Sequence, residues 1–481
     1  MSCTATAPGL TPTDHARYVI ENLPAGLFKA VGAEEETPSI AWRVSPEPFR
    51  LAPATVSRIA ALGPHLLAFY RALSALYLRS ARGTAPSFIA EYLDQGKPEH
   101  IIRLARQNRF KSDIPLVIRP DLILTDGGGF ISSELDSVPG GMGFVGAMSQ
   151  TYCSLGFNPI GGADGMANGF AAMVTAIAGK TYPVVAIVVS EESGDYRSEL
   201  RWLAEHLRTL GNAQAYVCAP QDIMFTEEAL FLRHADGREE KIDVLYRNFE
   251  LFDLLNIPKQ ELMLYAARHN RVKLTPPPRA QLEEKSAFAL LHHPALTALW
   301  KKELGDETYA ALHALFPQTW VIDPRPLPPH ASITGLIAGG EPIHDWLDLE
   351  GLGKRDRDFV VKPSGFSELA WGSRGVRVAN DLTKEEWHDA LANAVKSYET
   401  TPHILQRFHK GRRVDSPYYD RSSETVKTMD GRVRLCPYYF VVGDETQLGG
   451  ILATVAPADK RLIHGMSDAI MAPCMVAEDG A

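Results

Sequence analysis

The chain has 481 residues, of which 45% are hydrophobic and 22% charged, and its formal net charge is −9. At about 100–200 residues per domain, this length implies two to four domains that can bury their own cores. The composition excludes a disordered or fibrous chain, and the lack of a basic excess argues against nucleic acid as a partner.

Residues 1–110 read as mostly helical, with apolar residues at three- and four-residue spacing across 54–62, 66–73 and 86–93. The texture changes at Ile114. Residues 114–124 and 130–136 read as two strands joined through the Gly-rich turn at 126–129, a pattern that fits a hairpin. A helix of small residues follows over 163–178.

From 182 the rhythm alternates between strand and helix. Strands are expected at 182–189, 215–218 and 242–247, with an amphipathic helix over 196–210 that stops at Gly211. Such alternation implies a mostly parallel sheet, whose ligands gather at the carboxyl ends of its strands. Glu191, Glu192, Asp195 and Arg247 stand there.

The prolines at 276–278 break the chain, helices run on to about 315, and a loop-rich stretch covers 323–353. Beyond it come a strand at 359–362, a helix at 384–400, a strand at 403–406, and two antiparallel strands at 433–442 and 450–455. No uncharged apolar run reaches the roughly 20 residues that span a bilayer. The N-terminus lacks the basic and apolar regions of a signal peptide. The five cysteines (Cys3, Cys153, Cys218, Cys436 and Cys474) form no CxxC pair, which argues against a disulfide framework. A cytoplasmic location fits that pattern.

Four groups of residues carry possible chemistry. In the first, a strand delivers Lys362 to a loop with Ser364, Gly365, Glu368, Gly372, Arg374 and Gly375. Lysine is a compact charge suited to phosphate, and glycines let backbone N–H groups approach phosphate oxygens. No GxxxxGK[ST] loop is present, and an exposed turn is the plain alternative. In the second, Glu134 and Asp136 lie two apart on a strand and so share a face, where a divalent cation would relieve their repulsion. An exposed, solvated strand face would also account for them. In the third, the strand that ends in Gln406 resembles a hinge that reads a nucleotide base, although a plain core strand reads the same way. In the fourth, Arg432 and Arg434 alternate on a strand, and Lys460 and Arg461 lie in a loop near the C-terminus. Phosphate or ordinary surface solvation fits both. His292 and His293 lack metal-ligand spacing, and neither a GxSxG elbow nor a dinucleotide-binding GxGxxG follows a strand.

The collinear order of Arg119-Pro-Asp-Leu-Ile, Glu134-Leu-Asp136, the strand at 184–189 followed by Glu191-Glu-Ser-Gly-Asp195, Tyr246-Arg247, Gln281-Leu-Glu-Glu-Lys285, Val361-Lys362-Pro363 and Ile404-Leu-Gln406 resembles the ATP-grasp ligases. The resemblance is to eukaryotic-type glutathione synthetase and bacterial glutathionylspermidine synthase-like proteins, and it spans about residues 110–465. It implies an α/β chain with an ATP-grasp fold, an inserted parallel-sheet substrate domain and a helical N-terminal region. The corresponding segments are 1–110 (helical), 111–180 (first part of the core, with the metal-binding acids), 181–275 (substrate domain) and 276–481 (nucleotide and lid region).

The resemblance also implies roles. ATP and Mg2+ are the cofactors. Lys285 and Lys362 contact phosphates, and Glu134, Asp136 and Glu368 hold Mg2+. The loop containing Ser364, Gly365, Gly372 and Gly375 covers the γ-phosphate, and Leu405, Gln406 and Arg407 line the adenine hinge. Arg119 faces the acyl-phosphate site and Arg247 an anionic part of the substrate. Apart from the resemblance, charge and position make Asp195, with Glu191, Glu192 and Glu199, candidates to receive an amine or polyamine substrate. The expected activity is an ADP-forming carboxylate–amine ligase with a small acid and an amine as partners, without nucleic acid or membrane. A homodimer is common in that group. A phosphotransferase on the same scaffold and a non-catalytic ATP binder are the alternatives.

Overall fold

In the computed structural model, residues 114–136 form the hairpin that their pattern implies. Strands Val117–Leu124 and Phe130–Asp136 pair antiparallel, with Arg119 opposite Asp136 and Asp121 opposite Glu134. The structure describes residues 9–28, 40–370, 372, 374–460 and 462–478. Among them the chain is α/β, with helices packed on antiparallel and parallel sheets.

The hairpin belongs to an eight-stranded sheet. Its centre is the 18-residue strand Thr425–Val442, which pairs antiparallel with Val117–Leu124, Arg413–Asp420 and Glu445–Pro457. Gly443, at φ 64°, begins the two-residue turn into Glu445–Pro457, a place where a side chain would be strained. Alternate residues of the long strand serve opposite faces. Val433, Leu435, Tyr439 and Val441 pack with helix Leu62–Ala81, while Cys436, Tyr438 and Phe440 pack with helices Met142–Ser154 and Gly165–Ala178. Pro53–Ala81 is long and apolar enough to cross a membrane by length and composition, yet 61% of its apolar window is buried in this core.

Short strands Arg43–Val44 and Phe49–Leu51 interrupt the helical reading of the N-terminal region. They pair with Ile470–Val476, another strand that periodicity did not reveal. Both are set by long-range pairing with the other end of the chain.

The second sheet orders Lys273–Thr275, Val244–Asn248, Val184–Val189 and Gln214–Cys218, parallel throughout. A small antiparallel sheet orders Thr319–Val321, His403–Arg407, Phe359–Pro363 and Arg377–Val378. Here Phe359–Pro363 and His403–Arg407 run antiparallel although a helix lies between them in sequence. The return strand Arg377–Val378 reverses the chain before helix Lys384–Lys396 begins. That helix starts at a capping box of Thr383 and Glu386 and stops four residues short of the expected end.

Cys218, Cys436 and Cys474 are free and buried, whereas Cys153 is disulfide-bonded. Cys3 lies outside the described residues.

Candidate functional site

The small sheet and the hairpin end of the large sheet face each other across a narrow cleft whose cavity is about 90 Å3. Apolar residues Ile123, Ile131, Val360, Val378 and Ile463 form its walls, and Asp121, Glu134, Lys362, Gln406, Arg407 and Arg434 supply its polar groups. Strand alternation puts Lys362 there, because Val361 turns into the core of the small sheet.

Lys362 is 8% exposed. Its Nζ donates to the Ser133 carbonyl at 2.9 Å and to Gln406 Oε1 at 2.9 Å, so one ammonium bridges the two sheets. Gln406 is fixed in turn, donating to Thr319 Oγ1 at 3.2 Å. Burial lowers the Lys362 ammonium to about 8, and nearby Lys285 adds to this while Glu134 opposes it. Lys285 behaves the other way. Burial would lower it, but its 2.8 Å ion pair with Glu134 and the charge of Asp136 hold it above the ordinary lysine range.

The hairpin carries a row of alternating charges. Arg119 lies 3.1 Å from Asp121 and 3.0 Å from Asp136, and Arg434 lies 3.0 Å from Asp121. Despite its burial, Asp121 is kept below the usual carboxylate range by these two guanidiniums. Asp136 goes up, because its burial outweighs Arg119 and Glu134 adds repulsion. Asp121, Glu134 and Asp136 are thus matched by Arg119, Arg434, Lys285 and Lys362, which leaves one net positive charge at the head of the cleft. That balance suits an anion.

Asp121 was missed as a site residue. The register would have revealed it, since a hairpin that places Glu134 in the cleft places the residue opposite there too.

The structure brings Arg119, Glu134, Asp136, Lys285, Lys362, Gln406 and Arg407 to this region. It does not bring the rest. Glu368 is exposed on the turn Glu368–Ala370. Among the described residues, no group of three or more His, Cys, Asp or Glu side chains is placed to hold a metal ion. The expected three-carboxylate set is therefore corrected to two strand acids that are already ion-paired.

Leu405 does not line the cleft. It sits on the other face of its strand, in the core with Trp320, Phe359 and Trp387. Arg407 does line it, although its guanidinium is held by Asp358 at 2.8 Å and lies 4.4 Å over the Phe359 ring.

Ser364 is corrected from phosphate ligand to anchor. Its hydroxyl is buried, donates to Glu284, and accepts from the Ser286 N–H at 3.0 Å. Gly365 is there for space, because a Cβ would stand 2.7 Å from the Glu283 carbonyl. Gly375 similarly packs on Pro363, while Gly372 has open space around it. Trp371 and Ser373 of this loop, and Arg461 near the C-terminus, lie outside the described residues.

The parallel-sheet candidates divide differently. Arg247 is fully buried. Its guanidinium is taken by the carbonyls of Pro276, Phe249 and Pro277 and by Glu283 at 2.5 Å, so it is a structural clasp rather than a free anion receptor. Glu199, also buried, accepts the Gly141 N–H at 2.9 Å and those of Gly143 and Phe144, capping helix Met142–Ser154. Burial pushes its carboxyl up to about 7 against these three hydrogen bonds. Glu199 is thereby removed from the amine-binding acids. Asp195 and Glu191 are exposed, and Glu192 reaches Arg374 at 3.5 Å.

No known family model matches this sequence, and no curated protein matches it. Solved structures do match. A glutathione synthetase like-effector (GSS30) from Globodera pallida, in its apo form, is similar over 98% of this chain and 100% of that one, with 12% identity and a TM-score of 0.56. A protein from Methylobacillus flagellatus KT, named "Putative gamma-glutamylcysteine synthetase", covers 84% of this chain and 86% of its own, with 11% identity and a TM-score of 0.41. The first likeness establishes a shared fold.

Proposed function

We propose that this protein is an ADP-forming carboxylate–amine ligase that grasps ATP between its large and small antiparallel sheets, in the manner of the ATP-grasp ligases. The observation that carries this reading is the inter-sheet cleft, with apolar walls, the bridging lysine Lys362 and one surplus positive charge. The fold shared with a protein named for glutathione synthetase supports it.

In this reading the apolar walls hold the base, and Gln406 and Arg407 mark its edge. Lys362 and Lys285 meet the phosphates. The negative charge of a phosphate returns the Lys362 proton affinity toward its ordinary value, so binding and protonation reinforce each other. Glu134 and Asp136 would hold Mg2+ jointly with phosphate oxygens, a donor set that suits this ion. Its chemistry there is neutralisation of phosphate charge. Lys285 would then exchange its pairing with Glu134 for a phosphate oxygen.

A substrate carboxylate oxygen attacks the γ-phosphorus, ADP leaves, and an acyl phosphate remains. The amine attacks the acyl carbon and phosphate departs. Arg119, held by Asp121 and Asp136, would steady the charge that develops on the acyl phosphate. Catalysis rests on positioning and charge, as expected for phosphoryl transfer.

ADP release from MgATP, measured against a grid of small acids and amines, tests the reading. ADP is expected only where one acid and one amine are both present. ADP with an acid alone would instead mark a phosphotransferase, and no ADP with any pair, despite tight ATP binding, would favour a non-catalytic binder.

A further inference from the structure

Three consecutive residues join four parts of the molecule. Glu283 pairs with Arg247 of the parallel sheet, Glu284 with Lys97 of the N-terminal helical region, and Lys285 with Glu134 of the large sheet. The fourth part is the root of the Gly-rich loop. The Glu284 carboxylate accepts the Ser364 hydroxyl and the Phe366 N–H, the latter at 3.3 Å. The backbone adds to this, since the Lys285 N–H reaches the Ser364 carbonyl at 3.2 Å and the Ser286 N–H reaches the Ser364 hydroxyl at 3.0 Å.

The Lys97–Glu284 pair is the unusual element. The side chains are 2% and 1% exposed, so both charges have been taken out of water. Burying such a pair is weak evidence for stability, because apolar residues of similar volume would serve as well or better. A pair kept in spite of this has to be judged by what it positions. One oxygen of Glu284 receives Lys97 and the Phe366 N–H, and the other receives Ser364. The Lys97 ammonium also lies 5.9 Å over the Phe366 ring. Gly365, between these two anchors, has no room for a side chain, because a Cβ would stand 2.9 Å from the Glu284 carboxylate. The loop root is therefore laid directly onto a carboxylate whose charge and orientation Lys97 fixes.

We propose that Lys97 and Glu284 are positioning residues for the nucleotide site, setting through Ser364 and Phe366 the angle at which the Gly-rich loop leaves Lys362 and Pro363. The loop's role over the nucleotide rests on the function proposed above, whereas the anchoring of its root does not. Neither residue lines the cleft. Without Lys97, Glu284 is left buried and unpaired and its hold on the loop root loosens. The loss falls on nucleotide binding more than on turnover.

Hydrogen exchange of peptides covering residues 364–370 in the nucleotide-free protein separates this from a merely structural role. Lys97→Met is expected to speed exchange there by about tenfold or more, while the parallel sheet at 184–189 keeps its protection. It is expected to raise KM for ATP by about tenfold with kcat within about threefold, the pattern of lost binding common to ground and transition states. Lys97→Arg should recover most of both effects. Unchanged exchange at 364–370 in folded Lys97→Met would overturn the proposal, as would a uniform rise across the whole protein. If Lys97→Met does not fold, Ser364→Ala decides, because it deletes one link to Glu284 and leaves the ion pair intact. Faster exchange confined to 364–370 supports the proposal, and none refutes it. MgATP that fails to protect the wild-type cleft would count against the proposed function while leaving the nucleotide-free comparison to judge the anchoring.

Discussion

The cleft between the antiparallel sheets and the carboxyl edge of the parallel sheet both collect charged residues at strand ends, yet they use them in opposite ways. At the cleft, Lys362 reaches the Ser133 carbonyl and Gln406, Lys285 pairs with Glu134 and Arg119 with Asp121 and Asp136, and the charged groups together leave a surplus positive charge. At the parallel sheet, Arg247 is held by three backbone carbonyls and Glu283, and Glu199 by three backbone N–H groups, and both are buried. Strand-end position marks where ligands can gather, and an adjoining cleft separates a site from a clasp. A guanidinium buried among carbonyls and one carboxylate, as Arg247 is, is finishing a fold.

Substitutions should expose this contrast. The largest expected effect is on stability, at the clasp. Arg247→Met leaves Glu283 buried without its counter-ion and should destabilise the protein by about 3–5 kcal/mol in urea unfolding. Affinity for MgATP, measured on the folded fraction, should change little. A variant of normal stability that loses substrate binding would return Arg247 to the site.

Lys362→Met should do the reverse. Under the proposed reaction it removes a positive charge that would meet the phosphates, and kcat should fall by about 10²–10³-fold. Because this also removes a buried ammonium, stability should hold or improve, as a melting curve would show.

A pH series sharpens the same point. The Lys362 ammonium titrates at about 8 in the nucleotide-free protein. Above that pH the free site loses its charge, so MgATP affinity should fall by up to about tenfold per unit, and Lys362→Arg should abolish the dependence. The stability linkage has the opposite sign. Between about 8 and the unfolded value near 10.4 the unfolded chain binds the extra proton, so this group's contribution to stability rises with pH across that window.

The smallest effect is expected at Asp195, which is exposed on the turn Gly194–Tyr196. Asp195→Ala should leave kcat/KM within about twofold, as for surface changes away from built features. A tenfold loss would put the amine acceptor at that edge.

The elements that carry the site were legible because local pattern determines them. The hairpin at 114–136 announces itself through alternation and a Gly-rich turn, and Phe359–Pro363 through a short apolar run ending in lysine. The short strands Arg43–Val44 and Phe49–Leu51 were not legible, because their pairing partner Ile470–Val476 lies at the other end of the chain. The site residues follow the same division. Glu134 and Asp136 could be paired by their spacing, but Asp121 needed the register of the opposite strand. Leu405 and Gln406 differ only in which side of one strand they occupy. Ser364 and Glu199 have the residue types of ligands. Only their burial and their backbone partners show that they hold the scaffold.

The most direct test of the central claim is a crystal structure with MgATP or a non-hydrolysable analogue. The base should lie between Val360, Val378 and Ile463 with its edge toward Gln406, and the phosphates should meet Lys362 and Lys285 on the Glu134 side. A nucleotide bound elsewhere, or an empty cleft at saturating nucleotide with Lys285 still paired to Glu134, would contradict it.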